Sequence, residues 1–230
     1  MNLLSRRVAA YLDELVPPRP ARLAELEAEA RRTGFPIIGP ATGHLCYLLT
    51  RLSNARQVFE LGSGFGYSTA WFARAVKENG GGIVHHVVWD DRLSREAREN
   101  LVALGLADVV QFHVGEAVAT LQQAPGAFDV IFNDIDKQDY PKALDVITTK
   151  LRPGGLLLVD NMLWSGRIFE RRDTSPATRG VRELTRRVQA DPRWIASVIP
   201  LRDGLLVAQR VEEPLGLSDT LNTRAKESSR

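Results

Sequence analysis

The sequence predicts an α/β protein with a doubly wound, mostly parallel sheet and an additional group of helices at its N-terminus. Two observations predict this fold. Between about residues 57 and 160, short runs rich in β-branched residues alternate with amphipathic stretches, and repeated βα units build parallel sheets with helices on both faces. Before residue 53, apolar side chains instead recur at helical spacing.

The N-terminal region is predicted to contain three helices. Residues 2–33 are rich in Leu, Ala, Glu and Arg, and the proline-rich segment 17–20 divides them into two helices. In the second of these, Leu23 and Leu26 lie one helical turn apart and indicate a buried face. A third helix is predicted over 41–52, after a segment that contains Gly and Pro.

The central region is predicted to consist of alternating strands and helices, in which each strand ends just before a turn that leads into a helix. The predicted strands cover residues 57–61, 83–88, 109–113, 129–133 and 156–160. The predicted helices cover residues 67–78, 92–104, 115–123 and 139–150.

The last part of the predicted domain has a different pattern. A polar loop over 165–176 precedes a helix at about 177–190, and two strand-like runs follow over 194–199 and 205–210. Asp203-Gly204 between these runs is a turn signal, so the two runs are predicted to form an antiparallel hairpin at one edge of the sheet.

The length of 230 residues fits one domain. We expect a single domain over 1–211, made of a helical addition over 1–52 and an α/β core over 53–211. Residues 212–230 are polar and lack periodicity, which favours a flexible C-terminal tail.

Composition excludes several classes of function. The net charge of +2 is small and its charges are interspersed, so neither nucleic-acid nor membrane-surface binding is expected. No run approaches the roughly 18 apolar residues that span a bilayer, and we expect a cytoplasmic protein. A single cysteine, Cys46, forms no intramolecular disulfide and no thiolate metal site. A metal ion would therefore require oxygen or imidazole ligands.

A glycine-rich turn follows the first predicted strand and opens a helix, with glycines at 62, 64 and 66. Such a turn lets the backbone approach a ligand closely, and a helix N-terminus offers unpaired N–H groups. Glu60 precedes the turn, and its carboxylate suits a cofactor with an amino-acid moiety better than a pyrophosphate. A tight structural βα connection without a ligand is the alternative.

Polar residues also follow two later strands, at the edge where open α/β sheets bind ligands. Asp134 follows the strand at 129–133, and Asp160-Asn161 follows the strand at 156–160. These oxygen donors suit Mg²⁺, with Mn²⁺ or Ca²⁺ as alternatives. The structural alternatives are a helix cap at Asp134 and a turn at Asp160-Asn161.

Four motifs in this order resemble the cation-dependent class I O-methyltransferases of the caffeoyl-CoA and catechol type. They are ELGSGFGYS at 60–68, FNDIDK at 132–137, RPGG at 152–155 and DNMLWSG at 160–166. The resemblance runs from about residue 37 to 210 and includes DGLL at 203–206. It implies a Rossmann-like methyltransferase fold with a seven-stranded sheet whose last strand is antiparallel. S-adenosylmethionine as cofactor and a homodimer are also implied.

The resemblance assigns roles to individual residues. Asp134, Asp160 and Asn161 match the metal ligands, Lys137 and Asp134 match catalytic positions, and Lys137 and Trp164 match the substrate side. The positions that match the cofactor site are Ile38, Glu60, Gly62, Ser63, Gly64, Ser68, Val88, Trp89, Asp90, Ala117 and Asp134.

The chain departs from the family pattern at the end of the second strand, where the family carries an acid that holds the cofactor's ribose. Val88 stands at that position and accepts no hydrogen bond. Asp90, two residues later, either replaces the missing acid or caps the following helix. Asn133 is a second departure, because an apolar residue is more usual before the metal-binding Asp134.

The resemblance implies an S-adenosylmethionine- and divalent-cation-dependent O-methyltransferase. Its substrate would be a small vicinal dihydroxy aromatic of the catechol or hydroxycinnamoyl type. The alternative is a catalytically impaired, dimeric binding or scaffold protein with the same fold, which Val88 and Asn133 motivate. A nicotinamide-dependent oxidoreductase is disfavoured by Tyr67, since the dinucleotide fingerprint requires a small residue there.

Overall fold

A computed structural model of the protein describes residues 6–212. These residues form one seven-stranded sheet in the order β3-β2-β1-β4-β5-β7-β6. The strands β1 to β5 run parallel to one another, and β7 runs antiparallel to both β5 and β6. The α/β class, the mostly parallel sheet and the antiparallel hairpin at its edge are therefore confirmed.

The helices and strands alternate through the core as the sequence predicts. The strands are β1 (Gln57–Leu61), β2 (Ile83–Val88), β3 (Val110–Val114), β4 (Phe128–Asn133), β5 (Leu151–Val159), β6 (Trp194–Ile199) and β7 (Leu205–Arg210). The α-helices are α1 (Arg6–Glu14), α2 (Ala21–Thr33), α3 (Gly39–Leu52), α4 (Tyr67–Glu78), α5 (Asp91–Ala103), α6 (Ala117–Gln123), α7 (Tyr140–Lys150) and α8 (Pro176–Ala190).

The sheet has an apolar core on each face because side chains alternate along every strand. In β4, Val130 and Phe132 pack into one core together with the helices before β3, whereas Ile131 packs into the other with α6, α7 and α8. All three side chains are fully buried. A central strand that is covered on both faces accounts for the continuous apolar run in the sequence.

Loops at the carboxyl edge of the sheet extend the hydrogen bonding of the strands. The N–H of Asp134 donates to Leu61 O at 2.9 Å, and the N–H of Asp160 donates to Asn133 O at 3.2 Å. Ser63 N in turn donates to Val87 O at 3.0 Å. These bonds hold the first residues beyond β1, β4 and β5 in register, so polar side chains from separate strands lie side by side.

The predicted start of the fifth strand is wrong. The fifth strand is predicted over 156–160, but β5 begins at Leu151 and also contains Pro153, Gly154 and Gly155. The pairing with β4 shifts register between Phe128 and Val130, and Gly154 has a φ of 75°. The irregular pairing of β5 with β4 thus accommodates proline and glycine residues inside the strand.

Other boundaries need smaller corrections or lie beyond the structure. The region predicted as a polar loop at 165–176 contains a 3₁₀ segment, Trp164–Phe169. The tail predicted over 212–230 lies outside the described residues except for residue 212, and the single-domain boundaries stay a prediction. Within residues 6–212, no helix is both long and apolar enough to cross a membrane.

The helix α8 packs closely against the turn that carries Lys137. A Cβ atom on Gly180 would lie 2.0 Å from Lys137 O and 2.9 Å from the Cα of Gln138, both backbone atoms. The helix and the turn therefore meet without space for a methyl group, and this contact fixes the position of Lys137.

We expect Gly180→Ala to destabilise the protein by about 1–3 kcal/mol, because the added methyl group overlaps backbone atoms. This cost exceeds the roughly 1 kcal/mol that alanine gains over glycine from helix propensity. Urea denaturation measures the difference. Arg179→Ala, at an exposed position of the same helix, is the control and should change stability by less than about 0.5 kcal/mol. A Gly180→Ala variant as stable as the wild type would contradict the prediction.

Candidate active site

A cavity of about 440 Å³ opens at the carboxyl edge of the sheet, between the glycine turn and the loops that follow β2, β4 and β5. Most of the predicted site residues line it. These are Ile38, Gly62, Ser63, Gly64, Ser68, Val88, Trp89, Ala117, Asp134, Lys137, Asp160 and Asn161. The structure therefore brings the predicted cofactor positions and the predicted metal ligands to one cavity, while Glu60, Asp90 and Trp164 are not among its lining residues.

The glycine turn is shaped by how closely it passes the neighbouring strand. Gly62 has a φ of 86°, and a Cβ atom there would lie 2.5 Å from Asp134 O. Gly66, at the start of α4, has a φ of 90° and lies against Ala97 of α5. Larger residues would move the turn away from the sheet, so glycine keeps the backbone at the floor of the cavity.

Glu60 is fully buried behind this turn, on the side of β1 that faces α4. Thr69 Oγ1 donates to one carboxylate oxygen of Glu60, and the same hydroxyl lies 3.0 Å from His86 Nδ1. The other oxygen, Oε1, has no hydrogen-bond partner within the described chain. Burial raises the pKa of Glu60 to about 7. An unsatisfied buried carboxyl oxygen next to the turn is suited to a cationic partner.

Two serines and one isoleucine complete this half of the cavity. Ser63 Oγ accepts from the N–H of Val87 at 3.0 Å, which ties the turn to β2. Ser68 is buried in the first turn of α4 with its side chain on the cavity wall. Ile38 is 2% exposed and closes the cavity from the segment before α3.

Val88, at the end of β2, lies on the cavity wall and is 7% exposed. It stands where the resemblance leads us to expect an acid, so this part of the cavity wall is apolar. Trp89 follows and is 79% exposed at the rim. Asp90 is the N-cap of α5: its Oδ1 accepts from Arg92 N at 2.8 Å and from Leu93 N at 3.1 Å. Of the two roles that the sequence left open, the structure shows the helix cap, and a contact of Asp90 with a cofactor stays a prediction.

Asp134 and Asp160 form the centre of the other half of the cavity. Asp160 is 1% exposed, and its Oδ1 has no hydrogen-bond partner among residues 6–212. Burial and the neighbouring Asp134 carboxylate raise the pKa of Asp160 to about 7, and burial also raises the pKa of Asp134. The two carboxylates therefore repel each other in a poorly solvated place, which favours a bound cation.

Lys137 Nζ donates to Asp134 Oδ1 at 2.9 Å and to Ile135 O at 3.2 Å. The ammonium group also lies 5.8 Å from the ring centre of Trp164. Trp164 is held outside the cavity lining by its Nε1, which donates to Thr178 Oγ1 at 3.1 Å. Trp164 is thus placed beside Lys137, and its predicted contact with substrate is untested.

The turn between β6 and β7 contributes residues to the cavity region that sequence analysis did not assign to the site. Arg202 lines the cavity, and its Nη1 donates to Asp160 Oδ2 at 3.1 Å. Asp203 accepts from Asn161 Nδ2 at 3.2 Å and from Ser165 N at 2.6 Å. The sequence analysis gave Asp203-Gly204 as a turn signal and as part of the DGLL motif of the resemblance, and neither pattern indicated that this turn reaches the ends of other strands.

Asn133 is fully buried beneath the carboxylates, and both polar atoms of its side chain lack a hydrogen-bond partner in the described part of the chain. Such an amide in a core lowers stability, since each unsatisfied group costs about 1–3 kcal/mol. The residue that departs from the family pattern before Asp134 is thus also a buried amide without hydrogen-bond partners in the described part of the chain.

The candidate metal ligands are two carboxylates and one amide. No group of three or more His, Cys, Asp or Glu side chains that suits a metal ion occurs within residues 6–212. Asp134, Asp160 and Asn161 nevertheless fit a hard divalent cation, because their donors are oxygens and one of them, Asp160 Oδ1, is buried and unpaired.

Known proteins provide independent information on the family. A family model described as O-methyltransferase matches residues 18–211. Catechol O-methyltransferase of Niastella koreensis is 30% identical over 206 residues, which cover 87% of this chain and 92% of the relative. The catechol O-methyltransferase of Mycobacterium tuberculosis is 33% identical over 180 residues, which cover 77% and 81%.

Solved structures agree with these sequence matches. An O-methyltransferase from Bacillus cereus, in complex with SAH, superposes with a TM-score of 0.80 at 28% identity, and the match covers 89% of this chain and 97% of that one. The Rossmann-like fold implied by the motifs is thereby confirmed. Because the family model spans most of the sequence, the chain belongs to the O-methyltransferase family.

Proposed function

We propose that the protein transfers a methyl group from S-adenosylmethionine to one hydroxyl of a vicinal dihydroxy aromatic, with the help of a divalent cation. The observation that carries the proposal is the juxtaposition, in one cavity, of the glycine turn with Asp134, Asp160, Asn161 and Lys137. One half of the cavity suits the cofactor, and the other half suits a metal-chelating substrate.

The cofactor would lie between the glycine turn and the end of β2. Acidic residues outnumber basic ones among the cavity-lining residues that the structure describes, which favours a ligand with a positive charge. S-adenosylmethionine carries a sulfonium and an ammonium group, and the buried Glu60 lies directly behind the turn. When bound, the cofactor supplies the electrophilic methyl group.

The divalent cation would be held by Asp134, Asp160 and Asn161, with Mg²⁺ as the preferred ion. When bound, it supplies the positive charge that lowers the pKa of a substrate hydroxyl. A vicinal pair of hydroxyls suits this arrangement, because two adjacent oxygens offer a bidentate ligand. The N. koreensis and M. tuberculosis relatives are named catechol O-methyltransferases, which supports this substrate class.

In this proposal, Lys137 acts on the substrate hydroxyl. Its Nζ lies at the cavity wall, 2.9 Å from Asp134 Oδ1. As an amine it accepts the hydroxyl proton at Nζ, and as an ammonium it stabilises the phenolate oxygen. Apolar walls at Ile38 and Val88 in the cofactor half would limit water around the cationic methyl donor, which keeps it reactive toward the phenolate.

The homodimer, the cytoplasmic location and the lack of nucleic-acid and membrane partners remain parts of this proposal.

The rival is a catalytically impaired scaffold with the same fold, for which the apolar Val88 on the cavity wall is the specific observation. Calorimetric titration with S-adenosylmethionine separates the two. Micromolar binding supports the enzyme, and no binding at millimolar cofactor supports the scaffold.

Chelation should abolish methyl transfer to catechol. Asp160→Asn should lower kcat/KM by about a hundredfold or more, because a charged oxygen donor at the reacting centre is lost. The measurement is transfer of a labelled methyl group with excess chelator and during Mg²⁺ titration. Asp145→Asn, which removes an exposed carboxylate paired with Arg187, should leave kcat/KM unchanged. Full activity after exhaustive chelation would refute the role of the cation.

Cofactor affinity should depend on the ionisation of Glu60. Its pKa is raised to about 7, so in the folded protein the carboxylate forms only as the pH rises through that value. The stability that the neutral form contributes is fully present below the ordinary pKa of 4.5 and is lost as the pH rises from there through about 7. We expect affinity for S-adenosylmethionine to increase between about pH 5.5 and 7.5, because the charged form attracts the cofactor's ammonium group.

Glu60→Gln is the matched variant for this pH dependence. It should bind the cofactor about tenfold more weakly at the upper end of the range and show a flatter pH profile, since the amide has no charge to develop. Isothermal titration calorimetry at several pH values measures both effects. Parallel pH profiles for the variant and the wild type would show that another group controls the affinity.

Restoring an acid at the end of β2 should strengthen cofactor binding. Val88→Asp is expected to lower the Kd for S-adenosylmethionine about tenfold, because a charge-assisted hydrogen bond to the ribose becomes available. Asp90→Asn is the companion variant: asparagine also caps helices, so α5 stays intact, and the Kd should not change if Asp90 acts only as a cap. Weaker binding by Asp90→Asn would instead assign the ribose contact to Asp90.

A further inference from the structure

Arg202 lies in the tight turn between β6 and β7 and extends into the half of the cavity that holds the carboxylates. Its Nη1 lies 3.1 Å from Asp160 Oδ2. The arginine side chain is 39% exposed, whereas that of Asp160 is 1% exposed. The ion pair thus has one buried partner and one partner at the cavity surface, and the arginine can leave it without crossing the core.

The backbone at Arg202 is in a conformation that side chains disfavour. Its φ is 53°, in the left-handed region where glycine is usual. Such a conformation is unfavourable for a side chain unless surrounding contacts compensate for it. The side chain forms an ion pair with Asp160, so the strained residue is directed at the candidate metal ligand.

The turn around Arg202 is fixed to the loop after β5. Met162 N donates to Gly204 O at 2.9 Å, and Leu163 N donates to Asp203 O at 2.8 Å. The carboxylate of Asp203 also accepts from Asn161 Nδ2. Because Asp203 and Gly204, which directly follow Arg202, are bonded to the segment after Asp160, the base of the arginine side chain has little freedom to move away.

The carboxylate pair is therefore already matched by two cations of the chain. Lys137 bonds to Asp134 and Arg202 bonds to Asp160. Arg202 also lies close enough to Asp134 to stabilise its charged form. A divalent cation held by Asp134, Asp160 and Asn161 would gain less attraction from a pair that is neutralised in this way than from two free carboxylates.

We propose that Arg202 is a resident counter-cation of the carboxylate pair, which a divalent metal ion must displace from Asp160, so that this residue sets the metal affinity of the site. The inference deepens the proposed function and rests on it. Release of the ion pair frees Asp160 Oδ2 alongside the unpaired Oδ1 and moves one positive charge toward the cavity. Metal binding in this chain is consequently an exchange of one cation for another.

The test is direct binding of Mn²⁺, followed by electron paramagnetic resonance of the free ion, for the wild-type protein and for Arg202 variants. Arg202→Gly removes the competing charge and also suits the left-handed backbone, so it should fold and should bind Mn²⁺ about ten- to a hundredfold more tightly. Arg202→Gln removes the charge while keeping the backbone strain and should show a gain of similar size.

Two controls separate the local charge from general effects. Arg202→Lys keeps a cation at the turn and should keep the weak Mn²⁺ binding of the wild type. Arg31→Gln removes an equal charge from an exposed position of α2 that does not line the cavity, and it should leave the Mn²⁺ affinity unchanged. A gain in Arg31→Gln equal to that of Arg202→Gln would overturn the proposal, because net charge alone would explain it.

Equal Mn²⁺ affinities of the wild type and both neutral variants would overturn the role of Arg202, and so would the absence of Mn²⁺ binding in every variant. Failure of the proposed function gives a different pattern. In that case the neutral variants bind Mn²⁺ more tightly, as inferred, but no variant methylates a catechol at saturating Mn²⁺ and S-adenosylmethionine.

Discussion

The candidate active site depends on the repulsion between two neighbouring carboxylates at the ends of β4 and β5, of which Asp160 is buried and Asp134 is partly exposed. Asp134 and Asp160 are held there by backbone hydrogen bonds to the preceding strands, so they cannot separate to relieve their repulsion. Neighbouring cations are the remaining source of stability. Lys137 supplies positive charge to Asp134, and Arg202 supplies it to Asp160. The proposed metal ion would supply positive charge to both carboxylates.

The cofactor half of the cavity presents the same problem in a milder form. Glu60 is buried on one face of β1 with one oxygen satisfied by Thr69 and the other left without a partner in the described chain. A buried carboxyl of this kind favours its neutral form until a cation arrives. In the proposed function, positively charged ligands would lower the electrostatic cost in both halves of the cavity.

The sequence predicted the parts of the site that follow from strand topology. Parallel strands place their carboxyl ends at one edge, so polar residues directly after β1, β4 and β5 had to meet there. The role of Asp90 was harder to predict: an acid at this position suits a helix cap, which is its commoner use, or a ligand contact, and the three-dimensional structure shows Asp90 bonded to α5. At Gly154 and Gly155, turn-forming residues lie inside a strand because an irregular register accommodates them.

Arg202 was beyond the reach of sequence patterns for a physical reason. Its partner Asp160 is 42 residues away, and the contact requires a left-handed backbone at an arginine, which no local preference predicts. The turn reaches the site only because β7 inserts between β5 and β6, a long-range pairing that a hairpin signal does not specify.

The insertion of β7 into the sheet also has a consequence for biosynthesis. Chains emerge from the ribosome with their N-terminal residues first, so the glycine turn, Asp134 and Asp160 are made before the strand that secures the loop after β5. Asn161 gains its bond to Asp203 and Asp160 gains its bond to Arg202 only once β7 has paired with β5. This half of the cavity is thus completed late in synthesis: in a nascent chain with a formed parallel sheet, Asp134 already has Lys137 as its partner, whereas Asp160 still lacks its arginine.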